Sequence, residues 1–485
     1  MPHKRLQSIY FFVVIVLIAI LGYLGQGYLY RAKPIRVGLL HSLNGPMAIS
    51  EKSMVDAEIL AIEEINNSGG LLGRPIEYFV ADGNSDWPTF AREAERLIKT
   101  EMVDVIIGCW TSASRKTVRP VIESNQHLLV YPMAYEGLEQ SPNIIYTGSA
   151  PNQQITPAIT WAHRELGARR FYLVGSDYIW PHSVNAISTE IIESLGGTLA
   201  GESYLFFGTK DVDHVINDIL EKKPDVIIST VVGDTNAAFY DKLYRAGIRS
   251  NKTPVISFSI GETELSAILR EISAESIVGH YSACNYFQSI DRDMNRKFVA
   301  AFRAKYGQER SLNDTVCASY NSVYFWAQAV REAETTDINA VRNTIRHQSL
   351  DAPEGIVTID FDTNHTWRPS YIAQARSDGQ FDIRWTSQTP VRPTPYPLTR
   401  TKAEWDQFLD DLFQKWDRTW ANPRDTKDHK ILSSNKLSSP EKLSVKKPAS
   451  DSPPVIPLAK PTEPTKKKAQ SGAANLKKAA ARKEN

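Results

Sequence analysis

Four short segments place hydroxyl, carboxyl and aromatic side chains directly after β-branched runs. They are Cys109-Trp110-Thr111-Ser112, Tyr131-Pro132-Met133, Ser176-Asp177-Tyr178-Ile179-Trp180 and Gly233-Asp234-Thr235-Asn236. Strand ends that converge on one crevice surround a small ligand with hydrogen-bonding groups and aromatic walls. Ser112 and Asp234 also suit the N-cap of a following helix. The two roles are compatible, because a capping loop still presents free backbone N–H groups.

The signatures of most enzyme chemistry are missing. GxxxxGK[ST], HExxH, GxSxG and the calcium-binding loop do not occur. The glycines Gly69, Gly70 and Gly73 follow a helical pattern rather than open one, so they read as a turn. His41 and His280 stand alone in apolar strands and read as satisfied imidazoles. Cys109, Cys284 and Cys317 lack CxxC or zinc-ligand spacing and read as buried thiols. No activated nucleophile or paired acid and base is evident, so the chain reads as a non-enzyme without metal or cofactor.

The crevice segments need a scaffold, and the pattern supplies one. Strand patterns fall at 35–40, 76–82, 103–108, 128–132, 143–147, 170–175, 225–230 and 254–259, with helical patterns between most of them. This alternation predicts an α/β fold of parallel sheets covered on both faces. Some 250 residues exceed one doubly wound sheet, so two Rossmann-like lobes with hinge crossovers and a central cleft are expected. Lobe 1 is assigned to 34–155 and 285–355, lobe 2 to 156–284 and 356–398. Helices at 291–306 and 314–334 precede a hairpin-like region over 355–385, with Asp378-Gly379 as a turn signal. After a proline cluster, 399–423 reads as an amphipathic helix whose Trp405, Phe408, Leu409, Leu412, Trp416 and Trp420 share a face that docks on the body.

Charge and the termini bear on compartment. The 485 residues carry a net charge of +1. Between 34 and 429, however, 51 acids stand against 39 bases, so the body is a poor nucleic-acid binder. No charge occurs from residue 6 to 30, a length that spans a bilayer as a helix. Residues 1–33 are therefore expected to be an uncleaved anchor, with a cleavable signal peptide as the alternative. The segment 424–485, rich in Lys, Pro, Ser and Ala, should be disordered.

Several motifs carry a resemblance. Val37-Gly38-Leu39-Leu40-His41-Ser42, Gly108-Cys109-Trp110-Thr111-Ser112-Ala113-Ser114-Arg115-Lys116, Tyr135-Glu136-Gly137 and Ser141-Pro142-Asn143-Ile144 are four of them. Ala150-Pro151-Asn152-Gln153-Gln154, Gly175-Ser176-Asp177-Tyr178, Gly279-His280-Tyr281 and Asp351-Ala352-Pro353-Glu354-Gly355 are four more. Through them residues 35–396 resemble the type I periplasmic solute-binding proteins, in the branch that binds urea and short amides. The resemblance implies a receptor that closes by hinge bending and delivers a small neutral solute to an ABC permease. Signalling to a partner is the alternative use, and a branched-chain amino acid the alternative ligand. An anchor at the inner membrane would leave the binding domain in the periplasm. The resemblance carries Ser112, Tyr131, Tyr178 and Trp180 into a ligand pocket, to which the strand-end segments add Trp110, Met133 and Asp234 and the chemistry of an amide adds Glu262. Ser112 and Tyr178 would donate to the carbonyl, Asp234 and Glu262 would accept from NH₂, and Tyr131 and Trp180 would form walls. Ala134, Gly261 and Trp180 depart from the branch's usual residues, so the pocket's shape differs.

Overall fold

The computed structural model describes residues 33–423. The expected anchor over 6–30 and the basic tail over 424–485 lie outside those residues. Among the described residues no helix is long and apolar enough to cross a membrane.

The first lobe opens with β1 (Ile35–His41), α1 (Ala48–Asn67), β2 (Ile76–Asp82), α2 (Trp87–Lys99), β3 (Val105–Gly108), α3 (Ser112–Ser124), β4 (Leu129–Tyr131) and β5 (Ile144–Tyr146). The five strands form one parallel sheet in the order β2-β1-β3-β4-β5. Its central strands are buried along their length, as their unbroken apolar runs require of a sheet covered on both faces.

The second lobe follows with α4 (Pro151–Glu165), β6 (Arg170–Ser176), α5 (Ile179–Ser194), β7 (Thr198–Leu205), α6 (Asp213–Lys222), β8 (Val226–Thr230), α7 (Thr235–Arg245), β9 (Val255–Ser257), α8 (Glu262–Ile268) and β10 (Tyr281–Cys284). The chain then returns to the first lobe through α9 (Asp293–Tyr306), α10 (Asp314–Ala333) and α11 (Ile338–Ile345). A small antiparallel sheet, β11 (Ser349–Ala352), β12 (Gly355–Ile359) and β13 (Thr366–Trp367), comes next. Finally β14 (Tyr371–Ala375) and β15 (Phe381–Thr386) complete a seven-stranded sheet, ordered β15-β14-β10-β9-β8-β6-β7. Only β14 is reversed: it runs antiparallel to both β10 and β15.

The sequence placed the return to lobe 2 at residue 356, whereas the chain returns near Ser370. Ala352, Val357 and Ile359 bury themselves with Val323 and Trp326 of α10 in the core of the first lobe. Tyr146 at the end of β5 also bridges to His365. The alternating pattern of 355–385 is therefore divided between two sheets. β7 escaped the reading, and β10 entered it only as an apolar strand about His280. β7 is a half-exposed edge strand with Gly201 at its middle, so it lacks a long apolar run.

Three crossovers join the lobes, and side chains tie them together. The Ser149 hydroxyl donates to Asn285 Oδ1, and Asn285 Nδ2 donates to the Pro369 carbonyl at 2.5 Å. Ser370 Oγ donates to the Gln153 carbonyl. This is the compact hinge that two closing lobes need.

The C-terminal helix α12 (Lys402–Lys415) docks on the body, with Trp405, Leu409, Leu412 and Trp416 buried. It is shorter than the expected 399–423. Thr401 caps it with Glu404, and the chain turns after Lys415. The three cysteines are free and buried.

Candidate ligand-binding site

A small cavity lies where the carboxyl ends of the two sheets face each other. From the first lobe, Trp110 follows β3, Met133 and Ala134 follow β4, and Asn313, Asp314 and Thr315 open α10. From the second, Phe258, Ser259 and Gly261 follow β9, Cys284 ends β10, Gln154 sits in the first turn of α4 and Glu264 on α8. Strand ends, short loops and the first turns of helices thus supply these groups, which suits a preformed small-molecule site.

The polar groups of this cavity are carboxyls, amides and hydroxyls, and no Lys, Arg or His lines it. Glu264 Oε2 accepts from the Gly261 backbone N–H at 3.1 Å and from Asn313 Nδ2 at 2.9 Å, which joins the lobes. Asp314 Oδ1 accepts from Arg368 Nη2 at 2.6 Å. Beside the cavity, Glu262 Oε1 accepts from the Gln288 backbone N–H at 2.6 Å, while its Oε2 is buried without a hydrogen-bond partner. Burial pushes the Glu262 carboxyl up to about 8, and it raises Glu264 and, against the pull of Arg368, Asp314. The indole Nε1 of Trp110 is likewise buried and unpartnered. A donor and a set of acids that readily keep their protons therefore surround the space.

Of the residues singled out from the sequence, Trp110 and Met133 line this cavity and Glu262 adjoins it. Ser112, Tyr131, Tyr178 and Trp180 form a second, filled group. The Ser112 hydroxyl donates to Glu136 and accepts from Arg115 Nη1 at 3.2 Å, so it is occupied. It is the first residue of α3, and Thr111 is the cap, its hydroxyl accepting from the Ser114 N–H. Tyr131 donates to the Trp110 carbonyl at 2.8 Å, and the Arg115 guanidinium lies 4.8 Å from its ring centre. Tyr178 packs on Phe207 and Trp180, with ring centres 4.9 and 6.3 Å away. Asp234 is exposed at the N-cap of α7 and makes no side-chain cap. The reading missed Asn313, Asp314 and Glu264. A signal existed in Asn313-Asp314 at the start of a long helical pattern, but nothing local told which lobe that helix would join.

Two buried charge clusters support these loops. Arg115 Nε donates to Glu139 Oε1 at 2.9 Å and Nη2 to Glu136 Oε1 at 3.1 Å. Burial would raise the Glu139 carboxyl, but Arg115, Lys116 and Arg119 outweigh it and hold it well below the usual carboxylate range. His41, at the end of β1, sits 2.9 Å from Glu58 and 3.6 Å from Glu51. Burial alone would lower its pKa; Glu58 and Glu51 reverse that and raise it to about 9. The His41–Glu58–Glu51 cluster thus ties α1 to the sheet.

The periplasmic binding protein domain family matches residues 35–402. The chain belongs to that family. Its two sheets, hinge and inter-lobe cavity agree with the type I form of the fold. A solute-binding protein of an ABC transporter from R. palustris, solved with 4-hydroxybenzoate, superposes with a TM-score of 0.67 at 21% identity, covering 74% of this chain and 98% of that one. The leucine-, isoleucine-, valine-, threonine- and alanine-binding protein of Pseudomonas aeruginosa is 20% identical over 346 residues, 70% of this chain and 89% of that protein. A limonene hydroxylase of Geobacillus stearothermophilus is 34% identical over 117 residues, 24% of this chain. The chain spans only 21% of that protein's length. The family and its structural neighbours are solute-binding proteins, not enzymes, and this member shares their architecture.

Proposed function

We propose that this periplasmic binding protein is an extracytoplasmic receptor that closes on a short amide or urea-like solute and presents it to an ABC permease. The cavity lining carries this reading: carboxyl, amide and hydroxyl groups from both lobes, and no cationic side chain. An amide has no charge to clamp; its carbonyl takes a hydrogen bond and its NH₂ gives two. Trp110 Nε1 supplies the donor, and Glu264 with Asp314 the acceptors. An aromatic carboxylate would enter this site without a counter-charge, at a desolvation cost that favours exclusion. The uncharged run at 6–30 supports tethering to the membrane.

The second reading is an amino-acid ligand. Three carboxyls at or beside the cavity favour it, since an ammonium would pair with one of them. Thermal unfolding of the detergent-solubilised full chain separates the cases, because a ligand of the native state stabilises by RT ln(1 + [L]/Kd). Acetamide and urea are expected to raise the melting temperature and 4-hydroxybenzoate to leave it unchanged. A shift with leucine alone selects the second reading. A shift with 4-hydroxybenzoate alone overturns both.

A further inference from the structure

Residues at the end of the matched family region and beyond it cross from one lobe to the other. The family match ends at 402, yet the described chain continues to 423. On the first lobe, the Leu138 N–H donates to the Pro395 carbonyl at 2.9 Å, and Lys116 Nζ lies 4.9 Å from the ring centre of Trp420. On the second, Arg400 pairs with Glu190 of α5. Ala421 forms an antiparallel bridge with Tyr178. The Ile179 N–H donates to the Trp420 carbonyl at 3.0 Å, the Asn422 N–H to the Asp177 carbonyl at 3.1 Å, and Asn422 Nδ2 to Asp177 Oδ2 at 2.7 Å. Trp416 meets His182 edge-on at 4.9 Å.

The positions of these anchors matter. Lys116 lies on α3 and Asp177–Ile179 at the start of α5, and each helix begins directly behind a strand end that faces the cleft. α3 and α5 also touch each other across the lobes. A hinge motion that separates the lobes must therefore pull Trp420 off Lys116 or strip the bridge from Tyr178. We infer that residues 395–423 are a strap that holds the lobes closed, so that opening of the cleft requires its release. Its grip on each lobe combines a backbone hydrogen bond with a buried or half-buried aromatic contact, the mixture that lets a segment dock and undock as a unit. The strap acts in the ligand-free protein and so stands apart from the choice of solute.

Inter-lobe energy transfer in the full chain, without ligand, tests this. Dyes are placed on Lys99→Cys of α2 and Glu221→Cys of α6, whose native side chains are 57% and 75% exposed. The three native thiols are buried and stay unlabelled. The first variant combines Trp420→Ala with Asn422→Pro, which removes the ring over Lys116 and the N–H donated to Asp177. The second ends the chain after Leu398, with folding checked by circular dichroism. The labelled parent is expected to show one short-distance population. Either variant should move most molecules to a longer distance and speed hydrogen exchange in the Asp177–Trp180 loop. Lobes that stay at the parental distance in both variants would overturn the strap. So would a longer distance confined to a truncated chain that has lost its native circular dichroism, with the point variants unchanged.

Discussion

Gly261 shows how a single residue sets the geometry of the closed cleft. Its φ of −110° is open to any residue, so its small size rather than its flexibility is in use. A Cβ there would stand 2.6 Å from Asn313 Cβ on the opposite side of the cavity, closer than two carbons can approach. Gly261→Ala should therefore lower the melting temperature of the closed, ligand-free protein and weaken solute binding about tenfold, or ~1.4 kcal/mol. Calorimetric titration of both forms reads this directly. Equal affinities would mean that the lobes meet elsewhere.

His41 makes a second residue-scale case, about stability rather than binding. Its folded pKa of about 9 lies above its ordinary 6.5, so its stabilising effect is full below about 6.5 and is lost as pH rises through 9. His41→Asn would strand Glu51 and Glu58 in the core without a counter-charge, at roughly 3–5 kcal/mol at pH 6. Scanning calorimetry should show that the gap between parent and variant narrows as pH rises from about 6.5 to 9. A gap independent of pH would mean that the imidazole is neutral.

Among the elements, the least regular is the most dependent on charge. Residues 132–143 form no helix or strand, yet most of them are buried, and the Arg115 guanidinium on α3 holds them through Glu136 and Glu139. Tyr135 stacks with Tyr146 at 5.2 Å and donates to His365, carrying the support to the small antiparallel sheet. Arg115→Met should cost about 3–5 kcal/mol in calorimetric unfolding, since two buried carboxylates lose their main partner. A loss under 1 kcal/mol would show that Lys116 and Arg119 carry the load.

The same comparison shows what local sequence can reveal about elements. The alternation of β-branched runs and helical patterns exposed the central strands, because a strand buried on both faces must be continuously apolar. The edge strand β7 and the four-residue β10 carry no such run, and the return at 370 depends on a contact between Tyr146 and His365, more than 200 residues apart. The segments after β3 and β4 did name Trp110 and Met133. Ser112 looked equally available, and only the folded chain shows its hydroxyl taken by Glu136.

At the scale of the whole molecule, two large sheets, a hinge of three crossovers and an acidic cavity make one device. Rigid lobes bring groups from separate parts of the chain to a common space, and Asn285 ties the crossovers on which they turn. The lining then decides what is bound. Burial makes ionisation of Glu262, Glu264 and Asp314 costly, which suits a neutral solute with both a carbonyl and an NH₂. The most direct measurement is isothermal titration of the full chain at pH 7 with acetamide and, separately, with 4-hydroxybenzoate. One acetamide bound per chain, and no heat from the carboxylate, is the predicted result. Saturable binding of 4-hydroxybenzoate with none of acetamide would contradict it.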